Sequence, residues 1–334
     1  TERVLQTQEQ VAANIEGQLR VFSKVLDFEG DNAAIIFNNA DWLCDLNFID
    51  VLRDVGKHFS VNVMIQKDSV KERLNAREQG ISYTEFSYMI LQAYDFLHLR
   101  RVADCTIQIA GSDQYGNIVA GIDLIRRDML GQEEAVFRGA GITSPLVTAS
   151  DGQKIGKTEE GAIWLTDDLT SPYAFHQYWL NVSDDDVGKF LRWLTFLPEE
   201  EIKSIESQQL AEPHQRVAQK VLANELTLLF HGKVNLKRCN DAASVLFKGD
   251  LQSLDAQMLK DVFADVPAGE YSKKQLDLPG VNLIEFLPQT TLCKSKREAR
   301  EFLQNGSVSV NGIKISGDGA LARVLTESDL LHGT

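Results

Sequence analysis

Apolar side chains at Val4, Val11, Ile15, Leu19, Phe22 and Leu26 recur close to the helical period, with charged and amide residues between them, so residues 3–26 are predicted to form an amphipathic helix. A second helical stretch is expected after Asn47. A third is expected from about Tyr83 to Leu99, where Phe86, Met89, Ile90, Ala93 and Phe96 make a broad apolar face. The texture then changes to a short β-rich run, CTIQIA, from Cys105 to Ala110, followed at once by GSDQYGN. That succession predicts a strand-to-helix junction. Asp113 or Ser112 is the expected cap of a helix running through Ile118, Ile122 and Ile125. GITSPLVT predicts a second strand, leading into the polar loop ASDGQKIGKTEEGAIWL.

After Thr170 the pattern becomes helical with few strand signals, as in VGKFLRWLTFL and RVAQKVLANELTLLFHG. Between Val262 and Gly280 the chain carries Pro267, Gly269, Pro279 and Gly280, which suits a linker. Beyond it a compact unit is expected: a short helix at VNLIEFL, a basic helix in SKREAREFLQNG, and a hairpin at SVSVNGIKI turning on Asn311-Gly312. The domain expectation is therefore residues 1–165, a helical domain over 166–261, a linker over 262–280 and a small module over 281–334. No internal repeat or low-complexity segment interrupts this order.

Composition adds four constraints. With 334 residues, 43% hydrophobic and 25% charged, the chain can bury a sizeable core as two or three domains. No apolar run approaches the ~20 residues of a membrane-spanning helix and TERVLQTQEQ has no signal-peptide pattern, so the expectation is a cytoplasmic protein without a membrane partner. Cys44, Cys105, Cys239 and Cys293 match neither a disulfide framework nor zinc spacing and are expected to be reduced structural thiols. A net charge of −14 excludes coating of nucleic acid by bulk electrostatics. From residue 281 onward, however, Lys294, Lys296, Arg297, Arg300, Lys314 and Arg323 match six acidic side chains, so the acidic excess lies wholly before the small module.

Three constellations carry candidate chemistry. Tyr88, Gln92 and Asp95 stand at i, i+4 and i+7 of one predicted helix and share a face. They suit either the polar end of a small-molecule pocket or a stripe that meets water or another domain. Gly111, Asp113, Gln114 and Asn117 follow the strand, at the sheet edge where open α/β folds bind ligands. There Gly111 permits close backbone approach and Asp113 can accept from a ribose hydroxyl, while the alternative is a capped helix start with no ligand. Lys154-Ile155-Gly156-Lys157-Thr158 is not a phosphate-binding P-loop, because only three residues separate Gly152 from Gly156 and that motif needs four. Its two lysines suit either a solvated turn or a loop that neutralises charge on a departing pyrophosphate.

Taken together these segments resemble the class I aminoacyl-tRNA synthetases, and among them the bacterial tyrosine-tRNA ligases. KIGKT is similar to their KMSKS loop, IAGSDQYGN to their G-G-S-D-Q-W-G-N segment and FSYMILQAYDF to their tyrosine-pocket helix; LRDVGKHFSVN and TSPYAFHQYWLN also have the family's look. The resemblance runs in order along essentially the whole chain. It implies an α/β fold: a Rossmann-like, nucleotide-binding parallel sheet, incomplete in this sequence, then a helical anticodon-side domain and a small α+β RNA-binding module. It also implies site roles. Tyr88 and Gln92 would bind the ammonium group of L-tyrosine and Asp95 its phenolic hydroxyl, with Gln114 beside the reacting carboxylate. Gly111 and Asp113 would hold the ribose of ATP, Lys157 would bind its phosphates, and Lys154, Lys157, Thr158 and Arg3 would stabilise pyrophosphate as it departs. Lys294, Lys296, Arg297 and Arg300 would contact tRNA phosphates, in a module similar to one in a ribosomal small-subunit protein.

The partners implied are tRNA(Tyr), L-tyrosine, ATP, a second copy of the chain, and Mg2+ that arrives with ATP and has no assigned protein ligands. The family's His-x-Gly-His segment is expected before Thr1 and the last strands of the RNA module beyond Thr334. Ala110 stands where the family has glycine and Tyr115 where it has tryptophan, and the residues around Cys105 fit loosely. Two other readings remain open: a synthetase-like RNA-binding protein without catalysis, and a tryptophan-specific relative, which Asp95 suits less well than a phenol-binding one.

Overall fold

The computed structural model describes residues 6–67, 70–71, 81–129, 139–150, 155, 157–158, 161–248, 251–264, 269–290, 292–317 and 319–332. The chain enters through helix α1 (Gln8–Val25), closed at its start by a capping box in which Thr7 and Gln10 exchange side chain-to-backbone bonds. Contacts divide the chain into two compact units, residues 33–155 and residues 1–32 with 156–334. This division falls differently from the boundaries expected from texture, because α1 groups with the later helices.

Residues 33–155 contain three short helices, α2 (Ala40–Leu43), α3 (Phe48–Asp54) and α4 (Val61–Ile65), before the long helix α5 (Tyr83–Ala103). Asn47 caps α3 by accepting from the Ile49 and Asp50 amides, and Ser82 caps α5 by accepting from Glu85. Strand β1 (Ile107–Gly111) is followed by helix α6 (Tyr115–Asp128) and strand β2 (Ala140–Ser144), and β1 and β2 pair in parallel from Ile107 opposite Ala140 to Gly111 opposite Ser144. A parallel pair needs a crossover, and α6 lies within it. Ala93, Phe96 and Leu97 of α5 meet Ala120, Leu124 and Ile125 of α6 in one core, joined by Val55, Met64 and Met89. Gly141 is required by close approach, since a Cβ there would stand 2.3 Å from Ile118 Cγ2.

Two details differ from the sequence expectation. The strand begins at Ile107 rather than Cys105, because Asp104 turns left-handed at φ +51° to end α5 and the Cys105 amide is used on the Leu99 carbonyl. Nor do Ser112 and Asp113 cap the following helix: they lie in a 3-10 turn, and Gln114, at the start of α6, makes no side-chain cap.

The other unit continues with a two-residue antiparallel hairpin, β3 (Lys157–Thr158) and β4 (Gly161–Ala162). A strap from Trp164 to Thr170 follows, closed by the Trp164 amide donating to Thr170 Oγ1 at 2.9 Å, with Thr166 and Thr170 buried. Helix α1 grips this strap: Arg20 pairs with Asp168 and Lys24 Nζ donates to the Leu165 carbonyl. Then come α7 (Pro172–Leu180), α8 (Asp184–Leu194), α9 (Glu199–Ala211), α10 (Val217–Lys248, broken at Gly232 with φ +78°) and α11 (Ala256–Val262). Phe175, Trp179, Phe190 and Phe230 form edge-to-face contacts at the centre of this bundle. The last residues form the small module, with α12 (Leu283–Phe286) and α13 (Lys296–Gln304) around buried Leu283, Leu287, Cys293, Ala299 and Leu303. Its hairpin turns at Asn311-Gly312, both at positive φ, as that dipeptide predicts.

All four cysteines are free, Cys239 and Cys293 being buried. Burial pushes the Cys239 thiol up to about 11 from an ordinary 9.0. The unfolded chain therefore loses this proton first, so the stabilisation is complete below pH 9 and declines as pH rises toward 11. Urea midpoints measured at pH 8 and pH 10.5 should differ, and Cys239→Ala should shrink the difference.

Candidate active site

Helix α5 has no charged residue between Glu85 and Asp95, and Tyr88, Gln92 and Asp95 lie along one side of it. Tyr88 is 58% exposed while Asp95 is half-buried. The Asp95 carboxylate is held from the earlier part of the chain: Asn39 Nδ2 donates to one oxygen at 3.0 Å and Trp42 Nε1 to the other at 2.8 Å. Trp42 is itself fixed by stacking on His98 at 4.4 Å between ring centroids, and His98 stacks on Tyr94. Each carboxylate oxygen has two lone pairs, so both keep a further acceptor position for a ligand hydroxyl.

Gln92 connects this helix to the segment after β1. Asn117 Nδ2 donates to Gln92 Oε1 and to Gln114 Oε1, both at 3.0 Å, and Gln114 Nε2 donates to Asp113 Oδ2 at 3.0 Å. A continuous amide relay therefore runs from α5 to the exposed Asp113 carboxylate at the end of the parallel strand. Gly111 leaves room for it, since a Cβ there would lie 2.7 Å from Asp113 Oδ1. Tyr115, at the family's tryptophan position, is 64% exposed.

Lys67 enters from the end of α4. Its Nζ donates to the Gly116 carbonyl at 2.6 Å and lies 3.2 Å from Met89 Sδ. Burial pushes its pKa down, opposed by the Asp123 charge.

The structure thus brings together Gln92, Gly111, Asp113, Gln114 and Asn117 as one array, with Asp95 on the same helix. Asn39, Trp42 and Lys67 belong to it and were not among the sequence candidates; the run NNADWL, polar groups around an indole outside any periodic helix, was the one signal available. Arg3 and Lys154 lie outside the described residues. For Lys157 and Thr158 the description extends to their backbone pairing with Ala162 and Gly161.

In the small module Lys294, Lys296, Arg297 and Arg300 are all exposed. Lys296 is engaged by Glu285, and the Lys294 amide donates to Glu298 Oε2 at 2.7 Å as part of the cap of α13. Ala299 and Leu303 face the module's core; on this nine-residue helix Arg297 lies opposite them, while Lys296, one turn before Ala299, stands at the core-side end beside Glu285.

Residues 1–248 match the family model of the tRNA synthetases class I (W and Y), and residues 258–334 match that of the tyrosine--tRNA ligase SYY-like C-terminal domain. The tyrosine--tRNA ligase of Staphylococcus haemolyticus (strain JCSC1435) is 50% identical over 311 residues, which cover 93% of this chain and 71% of that protein. Among solved structures, a C-terminally truncated mitochondrial tyrosyl-tRNA synthetase of Aspergillus nidulans is 28% identical with a TM-score of 0.61, covering 74% of this chain and 71% of that one. The corresponding protein of Coccidioides posadasii is 28% identical with a TM-score of 0.58, covering 71% and 68%.

Proposed function

The chain belongs to the class I tRNA synthetases of the tryptophan and tyrosine type, and we propose on that footing that it is a tyrosine-charging enzyme. It joins L-tyrosine to ATP as tyrosyl-adenylate and transfers the tyrosyl group to the 3′ end of tRNA(Tyr). The observation that carries the choice of tyrosine is the Asp95 carboxylate, held by Asn39 and Trp42 with acceptor positions left over. A phenol O–H donates into such a position at the end of a long, narrow side chain. Tyr88 and Gln92, nearer the start of α5, bind the ammonium group.

In the reaction the tyrosine carboxylate attacks the α-phosphorus of ATP in line and pyrophosphate leaves. No enzyme nucleophile is needed, so the protein acts by positioning and by fixed charge. Gln114 lies beside the carboxylate, while Asp113 and Gly111 hold the ribose. Lys154, Lys157, Thr158 and Arg3 stabilise the negative charge that accumulates on pyrophosphate. Magnesium would arrive with ATP and help neutralise its phosphates, and no protein ligand is assigned to it. Lys294, Lys296, Arg297 and Arg300 contact tRNA phosphates; they stand on residues 281–334, which we assign as the RNA-binding module after a helical domain (166–261) and a linker (262–280), residues 1–165 being catalytic.

The protein acts as a homodimer in the cytoplasm. Phe48, Ile49, Val61, Val63 and Tyr83, on or at the start of α3, α4 and α5, are each more than half exposed, an apolar cost that a second copy would remove. Sedimentation should then report twice the mass of one chain. Among the described residues no helix is long and apolar enough to cross a membrane.

The test of function is tyrosine-dependent exchange of labelled pyrophosphate into ATP, with phenylalanine and tryptophan as controls. Exchange with tyrosine alone is expected. Exchange driven by tryptophan would reassign the substrate, and no exchange with any amino acid would leave RNA binding as the activity to pursue.

A further inference from the structure

Lys67 is an expensive residue where it stands. Its ammonium is half-buried, among the described residues it forms no ion pair, and it faces the first turn of α6, the positive end of that helix dipole. A methionine or leucine would fill the space between α4, Met89 and Gly116 without those penalties. What an apolar side chain lacks is the bond to the Gly116 carbonyl, which is short at 2.6 Å. Gly116 lies between Gln114 and Asn117, two members of the amide relay, and a Cβ on it would meet Lys67 Cδ at 3.4 Å. The lysine stem and its donor together therefore determine where this turn sits.

We propose that Lys67 is a positioning residue for adenylate formation: through the Gly116 carbonyl it fixes the turn that carries Asp113, Gln114 and Asn117, and so sets the grip on ATP. This rests on the assignment made above of Asp113 to the ribose of ATP, with Gln114 beside the tyrosine carboxylate. Asp95, by contrast, is held by Asn39 and Trp42 and does not depend on Lys67. The effect should thus fall on ATP more than on tyrosine.

The full-length protein is compared with Lys67→Met, which keeps the length and apolar stem but removes the donor, and with Lys67→Arg, which restores one. Two readouts are needed. Amide hydrogen exchange over residues 113–121 should speed up in Lys67→Met and recover in Lys67→Arg, whether or not the protein is active. In the exchange assay, KM for ATP should rise roughly five- to thirty-fold in Lys67→Met, with a clearly smaller rise in KM for tyrosine through Gln114, and with partial rescue by arginine. Unchanged amide exchange over that turn overturns the proposal. So does faster exchange with ATP and tyrosine constants both unaltered, or a loss shared equally between the two substrates, since each reduces Lys67 to a packing residue. If the unsubstituted protein supports no tyrosine-dependent exchange, the assignment of function fails, while the amide exchange still decides whether Lys67 holds the turn.

Discussion

Replacing Asp95 by alanine should lower kcat/KM for tyrosine by roughly 10- to 150-fold while leaving the poor activity with phenylalanine almost unchanged, so that selectivity collapses by the same factor. The range is that of one hydrogen bond to a charged group, about 1.5–3 kcal/mol. Phenylalanine has no hydroxyl to lose, so its rate is insensitive to the change. Two companion variants separate the causes. Asp95→Asn can keep most of the framework, because one amide oxygen still accepts from Trp42 Nε1 and the Asn39 amide can turn over to accept from the new N–H. Its loss therefore reports the charge of the acceptor. Trp42→Phe keeps the carboxylate and the stack on His98 but removes the 2.8 Å bond that aims it, so a smaller rise in KM for tyrosine is expected. The measurement is pyrophosphate exchange over a range of tyrosine and phenylalanine concentrations. Equal losses for the two amino acids in Asp95→Ala would remove this residue from recognition of the hydroxyl.

The contrast between Asp95 and its partners also shows where a sequence can be read and where it cannot. The face holding Tyr88, Gln92 and Asp95 was legible because a 21-residue helix repeats its period often enough to align them. Asn39 and Trp42 lie 56 and 53 residues earlier, at the start of and within a helix of four residues that shows no period at all, and only tertiary contact links them to Asp95. Lys67 is the same case: a lone lysine after a five-residue helix reads as a solvated charge until its bond to Gly116 is seen. The turn chemistry misled in a different way. Asp113 has the composition of a cap, yet its carboxylate receives Gln114 and remains exposed, which is a geometry suited to a ligand rather than to the helix. At larger scale the two strands and the helix between them follow from apolar texture, and their parallel pairing from the family resemblance, whereas the grouping of α1 with the strap after β4 comes from Arg20–Asp168 and Lys24–Leu165, contacts across more than 140 residues.

Replacing Lys157 by methionine should lower kcat for tyrosine activation by about 10²–10³ with KM for tyrosine nearly unchanged. The reasoning separates ground state from transition state. Charge builds on pyrophosphate only as the bond to the α-phosphorus breaks, so an ammonium aimed there contributes little while tyrosine and ATP are merely bound and most when they react. Tyr88, Gln92 and Asp95, assigned to tyrosine, lie on α5, whose hydrogen bonds to Asn39, Trp42 and Asn117 are all made within residues 33–155. Lys157 belongs to β3, in the other contact unit, followed by the strap that Thr170 and α1 hold. None of those bonds is made by Lys157, so KM for tyrosine is expected to hold. A milder change in the same direction is expected from Thr170→Val, which leaves the Trp164 amide without its acceptor and loosens the segment after the hairpin. Rapid-quench measurement of adenylate formation at saturating tyrosine and ATP reads the chemical step directly. A Lys157→Met protein that forms adenylate at the unsubstituted rate, or whose defect disappears at high tyrosine, would show that this lysine serves binding or solvation and not the departure of pyrophosphate.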